Sequence, residues 1–207
     1  MKNISFPKSY HKRRVLKIIG FAMIGSCGYG AYNYINKKNI KSTWSGSVLN
    51  APAKLEIHSS SKLKNNKILA KVNKLVNKYE YIFNLQNINS EISNLNNNKY
   101  LENPTDEMLE VLEKSLLLSK YTNGAFDATV QPLWNFYYNH YIHLQKKGAP
   151  KKADLNKVRT LINWKNIAFS HNSIKLLNNA SITLNGVAQG WITDKITELL
   201  KRNGIKN

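Results

Sequence analysis

The sequence predicts an α+β fold in which antiparallel strands carry helices packed to one side. Two observations predict it. Apolar residues first alternate at a spacing of two, as in Leu55 and Ile57, and then switch to spacings of three and four from Ile68 to Ile82. Alternation returns late, over "NIAFSHNSIKLLNNASITLN", before a last helical stretch. With 207 residues, 42% of them hydrophobic, the chain can bury a substantial core and is not of disordered composition.

Taken in order, the chain begins with a basic cluster at Lys12, Arg13 and Arg14, and an apolar run follows from Val15. This is the charged and apolar pattern of an export signal, and Lys12–Lys17 resembles a twin-arginine leader. The run is short for a membrane span, which needs about 20 apolar residues. Cys27 follows Ile24-Gly25-Ser26, and a lipoprotein signal also places a small residue before its cysteine. Lipidation of Cys27 and a buried cysteine in an uncleaved anchor both stay open. In either case the mature domain is expected on the periplasmic or extracytoplasmic side of the inner membrane, held through the N-terminus. As the single cysteine, Cys27 excludes an intrachain disulfide and a cysteine-based zinc site. Residues 1–43 read as signal or anchor with linker, the polar stretch 37–50 being the linker, and residues 44–207 as the folded part.

Within the folded part, "AKLEIHS" reads as a strand with Leu55 and Ile57 on one face. From Asn66 a long helix carries Ile68, Val72, Leu75, Tyr79 and Ile82 as one stripe, with Leu69, Val76 and Phe83 beside it. "NSEISNLN" (89–96) is a polar segment anchored by Ile92 and Leu95. Thr105 is a helix N-cap, followed by Asp106 and Glu107 against the dipole, with Leu109, Leu112 and Leu116 as the apolar face. That helix closes at Asn123-Gly124, where glycine can turn left-handed. Trp134–Leu144 reads as an aromatic helix and Ala153–Ile162 as another; His140 and His143 are read as surface or packing residues. Residues 166–185 read as three short antiparallel strands, and the last helix as about Gly190–Leu200.

Lys and Arg total 31 against 12 Asp and Glu, a formal net charge of +19. Such a charge suits an anionic partner. The basic residues spread over helix faces, however, and no RNA- or DNA-binding motif is present, so nucleic acid is not expected.

Two stretches carry chemistry. In "LNGVAQGWITD" glycines stand where a strand meets a helix. They let backbone approach a ligand, and the free N–H groups of the helix start favour an anion such as a pyrophosphate. In "YTNGAFDATV", Asp127 sits just past a helix stop. It could accept hydrogen bonds from a heterocycle or ribose, or simply cap the next turn.

Together, "NSEISNLN", "TNGAFDATVQPLW" and "LNGVAQGWITD" resemble, in order and spacing, the ApbE family of FAD:protein FMN transferases over about residues 44–207. The resemblance implies an enzyme that binds FAD and a divalent cation, usually Mg2+. It would transfer FMN to a Thr or Ser hydroxyl of a flavoprotein, typically a membrane redox subunit, with release of AMP. It assigns Ala125, Phe126 and Asp127 to FAD, places Thr183 and Gln189 along the FAD site, and makes the Gly186 carbonyl a metal ligand. Three positions depart from the family pattern. Thr183 replaces a frequent acidic residue, Gln189 a frequent Lys or Glu, and Gln86 a frequent aromatic residue. Family members continue past this helix into segments that supply the remaining metal ligands and the expected general base. The catalytic residue is therefore unassigned, and the chain is expected to hold about half of a catalytic domain. A catalytically inactive, membrane-tethered flavin-binding remnant is the alternative, and a basic protein binding DNA or anionic lipid is a third class.

Fusing residues 1–40 to a reporter that is active only after folded export should give an active reporter, and replacing Arg13 and Arg14 with Lys should reduce it. A reporter that stays cytoplasmic with the twin-arginine route intact contradicts the leader reading.

Overall fold

Pairing starts at Ile40. The computed structural model describes residues 40–205, so the basic leader and Cys27 lie outside the described residues. Strands β1 (Ile40–Val48) and β2 (Ala51–Ser59) form an antiparallel hairpin with Val48 opposite Ala51. Its two-residue turn, Leu49-Asn50, has φ of 50° and 66°. Two positive values match the right-handed twist of the paired strands. Over its described part, residues 40–50, the linker expected over 37–50 is thus corrected to a strand and turn. The alternation in β1 is carried by Ser42 and Trp44 rather than by an apolar series, so hydropathy does not reveal it. The buried Asn65 carboxamide donates to Ile40 O (3.0 Å) and Ser42 Oγ (3.1 Å), satisfying what apolar packing does not.

Helix α1 (Lys62–Phe83) starts four residues before the expected Asn66, because Ser61 caps it by accepting from Lys64 N. Its inner stripe is Ile68, Val72, Val76, Tyr79, Ile82 and Phe83. Burial pushes the Tyr79 phenol up to about 12, so it stays neutral. The polar segment expected to be anchored by Ile92 and Leu95 is helix α2 (Glu91–Asn98), capped by Ser90, with those two residues fully buried as expected. Eight residues rich in Asn are too few to display a helical period. Lys99 ends α2 in the left-handed region (φ 59°) and leads into β3 (Tyr100–Glu102).

Helix α3 (Asp106–Tyr121) has the expected cap, Thr105 Oγ1 accepting from Met108 N. Its fully buried face is Met108, Val111 and Leu112, with Ser115 and Ser119. Leu109 and Leu116 are half-buried at its edge, so the face is rotated from the leucine row. Glu91 accepts from both the N–H and the Oγ1 of Thr105 (3.1 Å each), tying α2 to α3. Gly124 has φ of 80°, closing the turn after α3 as expected. Helix α4 (Gln131–Tyr138) continues into a wider turn over Asn139–His143, and α5 (Lys152–Arg159) follows.

Strands β4 (Ile167–Ser170) and β5 (Ser173–Leu176) pair antiparallel, and β3 completes a three-stranded sheet in the order β3-β5-β4. The third strand expected around residues 180–184 is not formed, and β3 takes that place in the ladder. Ala180, Ile182 and Leu184 are nevertheless fully buried. Side chains satisfy the main chain here instead. The Asn96 carboxamide accepts from Ile182 N (2.7 Å) and donates to Ile182 O (2.8 Å). Lys99 Nζ donates to Ala180 O (2.9 Å) and Ser181 Oγ (2.8 Å).

The final helix, α6 (Asn185–Arg202), begins five residues before the expected Gly190. Neither Gly186 nor Gly190 has a positive φ, so both glycines propagate the helix. Trp191 on α6 sits edge-on to Tyr79 (4.9 Å between ring centroids) and Phe83 (5.9 Å), joining α6 to α1 over the main core.

Replacing Asn96 with Ala leaves a buried N–H and a buried C=O at Ile182 without partners. At roughly 1–3 kcal/mol for each orphaned group, the expected loss is about 2–6 kcal/mol in denaturant unfolding. Unchanged stability would mean that water replaces the carboxamide.

Candidate functional site

The buried run Ala180–Leu184 delivers the N-terminus of α6 to the loop after α3. Thr183 N donates to Ala128 O (2.8 Å), two residues past Phe126. At Gly186 a Cβ would lie 3.2 Å from Phe126 Cε2. Glycine here serves close approach rather than an unusual φ, and a Cβ would need the Phe126 ring to give by a few tenths of an ångström. The two stretches singled out in the sequence, 125–129 and 183–186, thus meet.

The N-terminus of α6 has no side-chain cap and no acidic residue in its first turn, while Lys201 and Arg202 occupy its last. The positive end of an 18-residue helix is left open to an anion. The Asn185 N–H lies 3.5 Å from Thr183 Oγ1, a long contact, and the Asn185 Oδ1 is buried without a hydrogen-bond partner. Ala125 is exposed, and Phe126 and Thr183 are half-buried around this end.

Asp127 is committed to the protein. Its Oδ1 accepts from Thr129 N (2.7 Å) and Thr129 Oγ1 (2.6 Å), and its Oδ2 from Trp164 N (2.9 Å). Thr129 Oγ1 in turn accepts from Asn163 N (2.8 Å). Of the two roles open to Asp127 in the sequence, capping the next turn is the one its contacts display. The carboxylate pins the 125–129 loop to the 163–164 turn and so fixes where Phe126 stands.

Gln189, one turn along α6, is exposed and lines a groove of about 290 Å3 between the hairpin and α6, with Trp44, Leu55, Ile192 and Ile196. The 125–127 loop does not line that groove. The structure therefore gathers Phe126, Asp127, Thr183 and Gly186 at the start of α6 and turns Gln189 toward the hairpin. Thr129, Asn163 and Asn185 support the site and were not singled out in the sequence. Asn185 stood in plain view in the Asn-Gly pair, which reads as a turn rather than as a helix start.

A magnesium centre does not fit these residues as they stand. Among the described residues no three His, Cys, Asp or Glu side chains are grouped to hold a metal ion. The Asp127 oxygens already accept three hydrogen bonds. The Gly186 carbonyl belongs to the first turn of a helix, where carbonyls point along the axis toward the residue four ahead.

The profile of the ApbE family matches residues 44–207. The chain belongs to the ApbE family. A curated relative, the FAD:protein FMN transferase of Vibrio cholerae serotype O1, is 26% identical over 102 residues, which is 49% of this chain and 30% of that protein. Among solved structures, the flavin transferase ApbE from Vibrio cholerae superposes with a TM-score of 0.69 at 18% identity, over 82% of this chain and 56% of that one. The flavinyl transferase ApbE of Pseudomonas stutzeri, in its apo form, gives 0.67 at 18% identity, over 81% and 54%. The ApbE protein of Thermotoga maritima gives 0.68 at 18% identity, over 80% and 54%. This ApbE chain thus spans a little over half the length of the structures it matches and under a third of the curated relative. At these identities the superpositions establish the shared fold: mixed helices and antiparallel strands, as the sequence predicts.

Asp127→Ala in this ApbE chain should lower stability by about 2–4 kcal/mol, since it removes a charged acceptor of three hydrogen bonds. Thermal and denaturant unfolding measure this without any ligand. Unaltered unfolding would show that Asp127 serves the ligand alone.

Proposed function

We propose that this chain is the flavin-holding part of an FAD:protein FMN transferase. The observation that carries the proposal is the meeting of Phe126 with Gly186 at the uncapped start of α6. An aromatic ring beside free helix N–H groups suits a ligand that joins a flat heterocycle to a pyrophosphate. In this reading the FAD pyrophosphate lies on the N–H groups of Asn185 and Gly186. The isoalloxazine or adenine packs by Phe126 and Ala125, with Thr183 and the unpartnered Asn185 Oδ1 turned to the ligand's polar groups. Family membership and the name of the Vibrio cholerae relative support this reading.

The reaction that follows is transfer of the FMN phosphoryl group to a Thr or Ser hydroxyl of a flavoprotein. The hydroxyl oxygen bonds to the FMN-side phosphorus, the bridging P–O bond breaks, AMP leaves with that oxygen, and the hydroxyl proton passes to a base. The residues described here bind and orient FAD; neither the base nor the cation ligands are among them. The acceptor is proposed to be a redox flavoprotein at the extracytoplasmic face of the inner membrane. Flavin binding without transfer is the second reading, and the first turn of α6, which carries no acidic residue, is what favours it.

Gly186→Ala tests the site with little cost to the fold, because alanine is the better helix former by about 1 kcal/mol. The expected result is unchanged or raised thermal stability with FAD affinity reduced about tenfold or more, read by quenching of flavin fluorescence on titration. Equal affinity in the two proteins overturns the placement. Incubation with FAD, Mg2+ and acceptor, followed by denaturation, then separates transfer from binding alone by whether fluorescence stays on the acceptor.

A further inference from the structure

Helix α4 and the turn after it bury none of their residues. Their inner side is the half-buried set Leu133, Phe136, Tyr137 and His140. Their outer side is more apolar than a solvent face needs to be. Trp134 is 66% exposed, Tyr138 63%, Ile142 60% and Tyr141 42%. Spacings of four and three place Trp134, Tyr138 and Tyr141 in one row along the helix, and Ile142, four after Tyr138, lies beside it. Tyr141 is stacked on Tyr137 (6.0 Å between centroids, 7° between planes), which holds the row in place.

The chain then folds back against His140 at the end of this helix. Lys146 N donates to His140 O (3.0 Å), His140 Nε2 lies 3.1 Å from Gly148 O, and α5 packs against α4. Lys146, Lys147, Lys151 and Lys152 are all exposed there. From Ala128 to Ala153 the sequence has no Asp or Glu. The surface therefore pairs an aromatic row, rich in the residues that favour a bilayer's interface, with a margin of four lysines and the single exposed carboxylate of Asp154 at its end. No helix among the described residues is long and apolar enough to cross a membrane.

We propose that this face, Trp134 to Lys152, is a docking surface for an anionic lipid bilayer. The indole, phenols and Ile142 enter the headgroup boundary, and the four lysines lie on lipid phosphates. This contact belongs to the folded domain and is separate from any anchoring by the N-terminus. It does not depend on the flavin reading, and it would hold α4 against the membrane surface whatever the chain binds at α6.

Tryptophan emission tests it in the full chain. Residues 1–39 contain no Trp, and Trp134 is the exposed member of the four in the sequence, so anchoring by the N-terminus alone puts no indole into lipid. Vesicles of phosphatidylglycerol and phosphatidylcholine with brominated acyl chains should quench the emission and shift it to the blue, and all-phosphatidylcholine vesicles should do so far less. Trp134→Phe should remove most of the quenching. Replacing Lys146, Lys147, Lys151 and Lys152 with Gln should bring it to the phosphatidylcholine level, with the thermal transition unchanged in both variants. Quenching that survives Trp134→Phe overturns the proposal. So does co-sedimentation with anionic vesicles without quenching, or equal quenching by the two lipids. An emission shift that needs only higher protein concentration would assign the face to a second copy. A shift produced by a single-stranded oligonucleotide and not by lipid would assign it to nucleic acid. Either result replaces the lipid reading.

Discussion

The arrangement depends on one side chain acting as a strand partner. The run Ala180–Leu184 is as deeply buried as any strand yet joins no ladder, and buried peptide groups need partners. Asn96 supplies both a donor and an acceptor to Ile182, in the way a facing peptide would. Lys99 covers the next carbonyl and hydroxyl upstream, at Ala180 and Ser181, and burial pushes its ammonium below the usual lysine range. Ala128 receives the Thr183 N–H. One end of α2 and the loop after α3 thus hold a segment that would otherwise be an unpaired intruder in the core. The start of α6 is wherever this clamp puts it.

From that constraint the site follows. A third strand over 180–184 paired to β5 would need the side of β5 that β3 already occupies. With the run free of the ladder, the chain can enter α6 at once, without a capping side chain, beside Phe126. Asp127 then does for the loop what Asn96 does for the run. It accepts from Thr129 and Trp164 and so fixes a Phe whose ring lies against Gly186. The ApbE motifs of this chain are in large part positioning devices. Ser90 caps α2, Glu91 holds the cap residue of α3, and Asp127 joins two loops. Burial raises the Glu91 carboxyl above its ordinary value while the Thr105 donors pull it back, as expected for a carboxylate serving structure.

Electrostatics divide the molecule unevenly. Several of the few acidic residues are engaged, as in Glu110, held down to about 2 chiefly by Lys114, with Lys195 of α6 on its other oxygen. That link joins α3 to α6 and leaves the uncapped start of α6 and the lysine margin of α4 as open positive regions. Both face anions in the readings above, a pyrophosphate in one case and lipid phosphates in the other.

The sequence by itself determined the α+β class, the stripe of α1, the cap and stop of α3, the hairpin partner β2, and the motifs that mark the ApbE family. Each of these is a local signal: a period, a capping residue, a glycine after a helix, or a short string of residue types. Tertiary structure decided the rest. Strand β1 was invisible because its inward face is Ser42 and Trp44, satisfied by Asn65 from α1. Helix α2 was hidden because Asn-rich sequence carries no apolar period, and its role rests on a contact with Ile182 86 positions away. The third strand failed, and α6 started early, because hydropathy reads burial and not which group satisfies a buried peptide. That Phe126 and Gly186 meet is a fact about two distant segments brought to one place, and no spacing within either segment encodes it.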